Sequence, residues 1–245
     1  MTPRRPRPTD PARLRLLPPG GDGACGRLPA ARATGEAAHA ESGRDPARSA
    51  VTAGPVGAEV ARGVWTGREA DEVVRAVLLD RDGTLVHDVP YNGDPDRVRP
   101  VAGAARAVAE LRAAGLRLGV VTNQSGIGRG LLTAEQAERV NARVDALVGP
   151  FDVWEVCPHA PDDGCACRKP RPGLVVRAAR RLGVEPRQCV VVGDIGADLA
   201  AARAAGARAG IVPTPVTRPE EYAGQPTAPD LLTAARRILA GGWAR

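Results

Sequence analysis

The chain has 245 residues, of which 43% are hydrophobic and 2% aromatic; 34 basic side chains against 28 acidic ones give a net charge of +6. That length allows one or two domains, no run of about 18 apolar residues offers a membrane span, and the N-terminus lacks the apolar core of an export signal, so neither membrane insertion nor export is expected. The positive charge would favour nucleic acid, but the arginines are scattered and not interleaved with aromatics, so no nucleic-acid partner is expected.

Residues 1–70 are dominated by Pro, Gly, Ala and Arg, with breakers such as Pro18-Pro19-Gly20-Gly21 and Thr52-Ala53-Gly54-Pro55. Without apolar periodicity such a segment cannot bury enough surface to offset its ordering entropy. It is expected to be a disordered arm, either a basic interaction segment or the product of a start site upstream of Val51 or Val64. Residues 71–241 form the expected domain, long enough for a hydrophobic core of its own. The apolar run Val73–Leu79 reads as a buried strand, followed by Asp80-Arg81-Asp82-Gly83-Thr84. A Gly- and Pro-rich flap (Val89–Pro95) comes next, then a helix over 102–114 stopped by Gly115. A second strand, Leu116–Val121, leads into Thr122-Asn123-Gln124-Ser125-Gly126. Thr133 and Gln136 form a capping box for a helix to about Leu147. Phe151–Val156 reads as a strand, Gly173–Leu182 as a helix, Cys189–Gly193 as a strand, 197–205 as a helix and Ala209–Val212 as a strand. Asp230 caps a last helix reaching about Ala240. Strands alternating with helices predict an α/β fold with a doubly wound parallel sheet. No insertion is long enough for a separate cap domain, so the site should be open.

Two carboxylates at a strand end, Asp80 and Asp82, sit where open α/β sheets place ligands. Like charges that close need a cation, and Mg²⁺ would serve. An Asp here can attack phosphorus while its neighbour moves the proton. The Thr122 hydroxyl and the backbone after it can cradle a phosphate, and Asp194, after the strand Cys189–Gly193, can close the metal site opposite Asp80. Lys169 is the single lysine of the chain, which suggests a need for a compact ammonium where every other basic residue is Arg. Just before it, Cys157, His159, Cys165 and Cys167 match a closed tetrahedral zinc site in ligand type and number, although C-x-H and C-x-C are tighter than finger spacings. Cys189 falls inside a strand and reads as a small buried hydrophobe. Nothing in the cysteine pattern suggests a secreted disulfide scaffold, so the expected compartment is the cytoplasm.

Asp80-Arg81-Asp82-Gly83-Thr84-Leu85, Thr122-Asn123-Gln124-Ser125-Gly126, Arg168-Lys169-Pro170 and Gly193-Asp194 resemble, in order, the four motifs of the haloacid dehalogenase superfamily of phosphohydrolases. The segment Cys157-Pro158-His159 to Gly173 resembles its zinc-bearing branch, which contains D-glycero-D-manno-heptose 1,7-bisphosphate phosphatases and histidinol-phosphate phosphatases. The resemblance covers roughly residues 74–212. It departs after Asp194, where a basic residue is expected and Ile195 stands. It implies a capless monomeric phosphatase of carbohydrate metabolism acting on a small phosphate ester. Asp80 would be the nucleophile and Asp82 the acid and base. Mg²⁺ would lie on Asp80, the Asp82 backbone and Asp194. Thr122, Asn123 and Lys169 would bind the phosphoryl oxygens, and Arg129 and Arg168 would face the leaving group and could grip a second anion. A signalling receiver domain shares an Asp, a Thr and a Lys on such a sheet, but has no need of Asp82 or of a zinc loop. A catalytically dead zinc-stapled binding module has no need of the intact set Asp80, Asp82, Thr122, Lys169 and Asp194.

Overall fold

The computed structural model describes Leu14–Leu16 and residues 73–243. Six strands lie side by side, all parallel: β1 (Leu14–Leu16), β2 (Ala76–Leu79), β3 (Arg117–Asn123), β4 (Val153–Cys157), β5 (Cys189–Gly193) and β6 (Arg208–Ile211), in the order β1-β4-β3-β2-β5-β6. The connecting helices are α1 (Ala104–Ala113), the short α2 (Ser125–Gly128), α3 (Ala134–Val148), α4 (Gly173–Leu182), α5 (Gly196–Ala205), the short α6 (Pro219–Tyr222) and α7 (Leu231–Leu239).

Alternation along the strands divides the core in two. Val77, Leu79, Leu118, Val120, Val190 and Val192 pack with the apolar faces of α1, α3 and α7. Ala76, Leu78, Val121 and Val191 pack instead with Leu174, Val175 and Ala178 of α4 and with Ala201 and Ala202 of α5. Every residue of β2, β4 and β5 is buried, the pattern of strands covered on both faces. The expected capping box opens α3: Thr133 Oγ1 accepts from the Gln136 amide and the Thr133 amide donates to Gln136 Oε1.

Leu14–Leu16 departs from the expectation of an unstructured arm. It pairs with Trp154–Val156 and lies at the sheet edge beyond β4. Leu14-Arg15-Leu16-Leu17 is an aliphatic run in an otherwise breaker-rich segment, and an edge such as that of β4 presents unpaired backbone groups to a passing strand. The rest of the arm, residues 1–13 and 17–72, lies outside the described residues.

The chain winds from β2 outward through β3 and β4, then returns to place β5 on the other side of β2. The order therefore reverses at β2, and the carboxyl ends of β2, β3 and β5 face one crevice, the usual place for a ligand in such sheets.

Candidate active site

Asp80 follows β2 directly, Thr122 is the last residue but one of β3, and Asp194 follows β5. All three are buried and line one cavity of about 380 Å³, together with Asp82, Asn123, Arg168 and Lys169. Asp80, Asp194 and Asp198 converge, with one oxygen of each within 4.8 Å of the others. Two glycines allow this approach. Gly83 turns with φ +81°, and a methyl there would fall 2.1 Å from an Asp194 oxygen. A methyl on Gly193 would fall 2.1 Å from the Asp198 carboxyl carbon.

Lys169 is buried among these carboxylates. Its Nζ donates to Asp80 Oδ1 at 2.7 Å, to Asp198 Oδ1 at 2.5 Å and to the Val121 carbonyl at 2.9 Å. Burial alone would lower the lysine's pKa, but Asp198 and Asp80 hold it above its ordinary value. Burial raises Asp80 to about 7 in spite of Lys169. Burial, with Asp80 and Asp198 close by, raises Asp194 to about 8. A cluster of three carboxylates with one ammonium favours protons or a cation of higher charge. The donor set is all oxygen, as Mg²⁺ prefers.

The Asp82 carboxylate takes a different direction from this cluster. It accepts from Arg81 Nη2 at 2.8 Å and from Gln124 Nε2 at 2.8 Å. Arg81 is itself buried and reaches Asn141. Gln124 also donates to Thr122 Oγ1, so one network fixes the second carboxylate and the Thr hydroxyl together. Asn123 exchanges hydrogen bonds with the Lys169 backbone, donating to its carbonyl at 3.1 Å and accepting from its amide at 3.0 Å. That pins the loop carrying Lys169 to the end of β3. Arg168 lines the cavity, and its Nη1 is buried without a partner. Arg129 does not line it; exposed at the end of α2, it donates to the Tyr91 hydroxyl at 2.9 Å.

Cys157 closes β4, and His159, Cys165 and Cys167 follow in the loop before Lys169. Their ligand atoms all lie within 4.8 Å of one another. Cys167 Sγ is 3.4 Å from Cys157 Sγ, 3.5 Å from Cys165 Sγ and 3.3 Å from His159 Nδ1. The three thiols are not in disulfides. Bonds of about 2.3 Å to a tetrahedral zinc ion imply sulfur–sulfur edges of about 3.8 Å; the Cys157–Cys165 edge, 3.7 Å, is of that length and the other two are slightly shorter.

Three contributors had no role assigned from the sequence. Asp198 stands four residues after Asp194, a helical spacing that brings it into the first turn of α5 beside the strand end. Arg81 bonds its chain neighbour Asp82 but is anchored by Asn141, 60 positions on, and Gln124 reaches Asp82 across 42 positions; no spacing in the chain announces those two pairs.

A parallel sheet reversing at the strand that leads into Asp80, with threonine, lysine and carboxylate motifs following in order, defines a class, and the chain belongs to the haloacid dehalogenase-like hydrolases. The family model of that description matches residues 89–206. Among individual relatives, the D-glycero-beta-D-manno-heptose-1,7-bisphosphate 7-phosphatase of Pseudomonas putida is 38% identical over 146 residues, covering 58% of this chain and 83% of the relative. The enzyme of the same name from Pseudomonas aeruginosa is 41% identical over 133 residues, covering 52% and 75%. The crystal structure of D,D-heptose 1,7-bisphosphate phosphatase from B. bronchiseptica, complexed with magnesium and phosphate, superposes with a TM-score of 0.62 at 32% identity over 69% of this chain and 99% of that one. The chain is a phosphatase of this family. Among the described residues, no helix is long and apolar enough to cross a membrane.

Proposed function

We propose that the chain hydrolyses a sugar phosphate through a phosphorylated Asp80, and that D-glycero-D-manno-heptose 1,7-bisphosphate, cleaved at the 7-phosphate, is its substrate. The observation that carries this reading is the pairing of Asp80, held by Lys169, with a second carboxylate two residues on that faces the same cavity. An Asp80 oxygen attacks phosphorus as the bond to the leaving oxygen breaks, and Asp82 delivers its proton to that oxygen. In the second step Asp82 takes a proton from water, the water oxygen bonds to phosphorus, and inorganic phosphate leaves with the Asp80 carboxylate restored. The Arg81 and Gln124 bonds hold Asp82 in place for both transfers. Thr122, Asn123 and Lys169 gather at the phosphoryl end, where donors aimed at developing charge contribute most. Mg²⁺, on Asp80, the Asp82 backbone carbonyl and Asp194, would supply charge neutralisation for the phosphate. Asp198 is assigned to holding Lys169.

Zinc on Cys157, His159, Cys165 and Cys167 is assigned a structural role, since four protein ligands leave no open position. A zinc site of three thiolates suits a reducing compartment, so the proposed location is the cytoplasm, and the proposed state is a monomer. The names of the relatives support the heptose substrate. Histidinol phosphate would need its ammonium drawn by the loop carboxylates Asp162 and Asp163, but Asp163 is already engaged with the Ala160 amide at 2.8 Å. The test is phosphate release with Mg²⁺ from the heptose bisphosphate, other sugar phosphates and histidinol phosphate. Release from none would refute the phosphatase assignment, and faster release from histidinol phosphate would refute the substrate.

A further inference from the structure

Six large hydrophobic side chains stand exposed among the described residues, and three of them, Tyr91, Ile195 and Val216, line the catalytic cavity. They are 45%, 38% and 80% exposed. Val89 and Pro90 continue the same wall. Scattered surface hydrophobics are ordinary, but a group of them at the mouth of one cavity marks a ligand contact. These residues come from three separate segments: the flap, the start of α5 and the loop after β6.

The cations of the cavity are unevenly committed. Arg81 is bonded to Asp82 and Asn141, and Lys169 to Asp80 and Asp198. Arg129, one of two arginines expected to grip a second anion, does not line the cavity and donates to the Tyr91 hydroxyl. Tyr91 itself takes φ +50° and packs against Gly126, where a methyl would fall 2.7 Å from its ring. That leaves Arg168, with its buried, unpartnered Nη1, as the free cation among the lining residues. A phosphate monoester carries a charge of about −1.5 to −2 near neutral pH. A second phosphate on the leaving group would meet one guanidinium and an apolar wall. A sugar ring suits that surface better, with its C–H face against Tyr91, Ile195 and Val216 and a hydroxyl on Arg168.

We propose, resting on the phosphatase reading above, that this site recognises its leaving group by an apolar wall of Tyr91, Ile195 and Val216 plus the single cation Arg168, so that a second phosphate adds little and sugar monophosphates are substrates too. A site that does not hydrogen-bond a group discriminates weakly against its absence, whereas a site built for it discriminates by orders of magnitude. The measurement is kcat/KM with Mg²⁺ for D-glycero-D-manno-heptose 1,7-bisphosphate and for the heptose 7-phosphate. Wild type should favour the bisphosphate by less than tenfold; a larger preference overturns the proposal. Ile195→Lys puts a second cation on the wall and should raise the bisphosphate-to-monophosphate ratio at least tenfold. Val216→Ser should raise KM for both substrates severalfold with kcat little changed. An unchanged ratio in Ile195→Lys, or an unchanged KM in Val216→Ser, means that the wall does not face the leaving group and likewise overturns it. Release from p-nitrophenyl phosphate, abolished by Asp80→Asn, separates the two readings. With that control positive, failure on both heptose esters defeats this proposal and the heptose substrate but leaves the phosphatase reading standing; with it negative, the phosphatase reading falls as well.

Discussion

At the scale of single residues, two aspartates two positions apart end in different surroundings. Asp80 lies under Lys169 and beside Asp194, whereas Asp82 is gripped by Arg81 and Gln124. Their replacement should therefore fail differently. Asp80→Asn should remove turnover entirely, because an amide is a poor nucleophile. Asp82→Asn should lower kcat by roughly 10²–10⁴-fold, the usual worth of a positioned acid and base. Near-wild-type kcat in either variant would refute the assigned roles. The metal-free protein should also respond to pH through the carboxylate cluster. Asp80 and Asp194 are raised to about 7 and about 8 from an ordinary 3.8. Between pH 4 and 8 the folded state thus binds more protons at these groups than the unfolded state, and stability falls as pH rises. Melting temperature without Mg²⁺ should drop from pH 5 to pH 8, less steeply in Asp194→Asn, and Mg²⁺ should flatten the slope. A slope untouched by both would count against a cation site here. Asp80, Asp82, Thr122, Lys169 and Asp194 were legible because each stands where an apolar run or a Gly- or Pro-rich turn marks its place. The partners of the others were not: Arg81 is anchored by Asn141, 60 positions on, Gln124 reaches Asp82 across 42 positions, and Asp198, though it stands beside Asp194 in the fourth motif, bonds Lys169 across 29.

At the scale of elements, hydrophobic runs and punctuation placed most of the structure. Gly173–Leu182 and Cys189–Gly193 match their expected spans. The helix after the flap is shorter at both ends than expected, Ala104–Ala113, because Gly103 takes a left-handed turn before it. β4 begins at Val153 instead of Phe151, since the Phe151 amide goes to the Asp145 side chain and the Phe151 ring packs edge-on against Trp154. The short helix Ser125–Gly128 carries no periodic signal, being a single turn held against the loop by the Gly128 amide and the Pro158 carbonyl. That contact ties the Cys/His loop to the Thr122 end of β3. Purified protein should carry one zinc per chain by metal analysis, and its removal should raise KM before the melting transition is lost. Zinc-free protein purified under reducing, chelator-free conditions, or collapse of the fold without any prior rise in KM, would contradict the structural assignment.

For the whole molecule, the sheet is centred on β2 and every residue assigned to catalysis lies at or after Asp80. Leu14–Leu16 adds only an outer strand beside β4. That addition was not readable in the sequence, because three residues among breakers have no periodicity and the partner strand lies some 140 residues on. A chain beginning at Gly63 should keep kcat within twofold and lose a few degrees of melting temperature, as expected for roughly 1 kcal/mol in a domain of this size. A large fall in kcat would show that the arm supports the site.

The lone lysine makes the protein its own reporter. An amine-directed acylating reagent would meet one side-chain target in 245 residues, alongside the terminal amine, and that target is the ammonium between Asp80 and Asp198. Buried and held protonated, Lys169 should resist acylation in the closed site and react only when the loop lifts away. The labelling rate at Lys169, read by mass spectrometry, therefore clocks the opening of the site. Inorganic phosphate with Mg²⁺ should slow that clock; labelling as fast as that of a free amine would show that the ammonium is not enclosed.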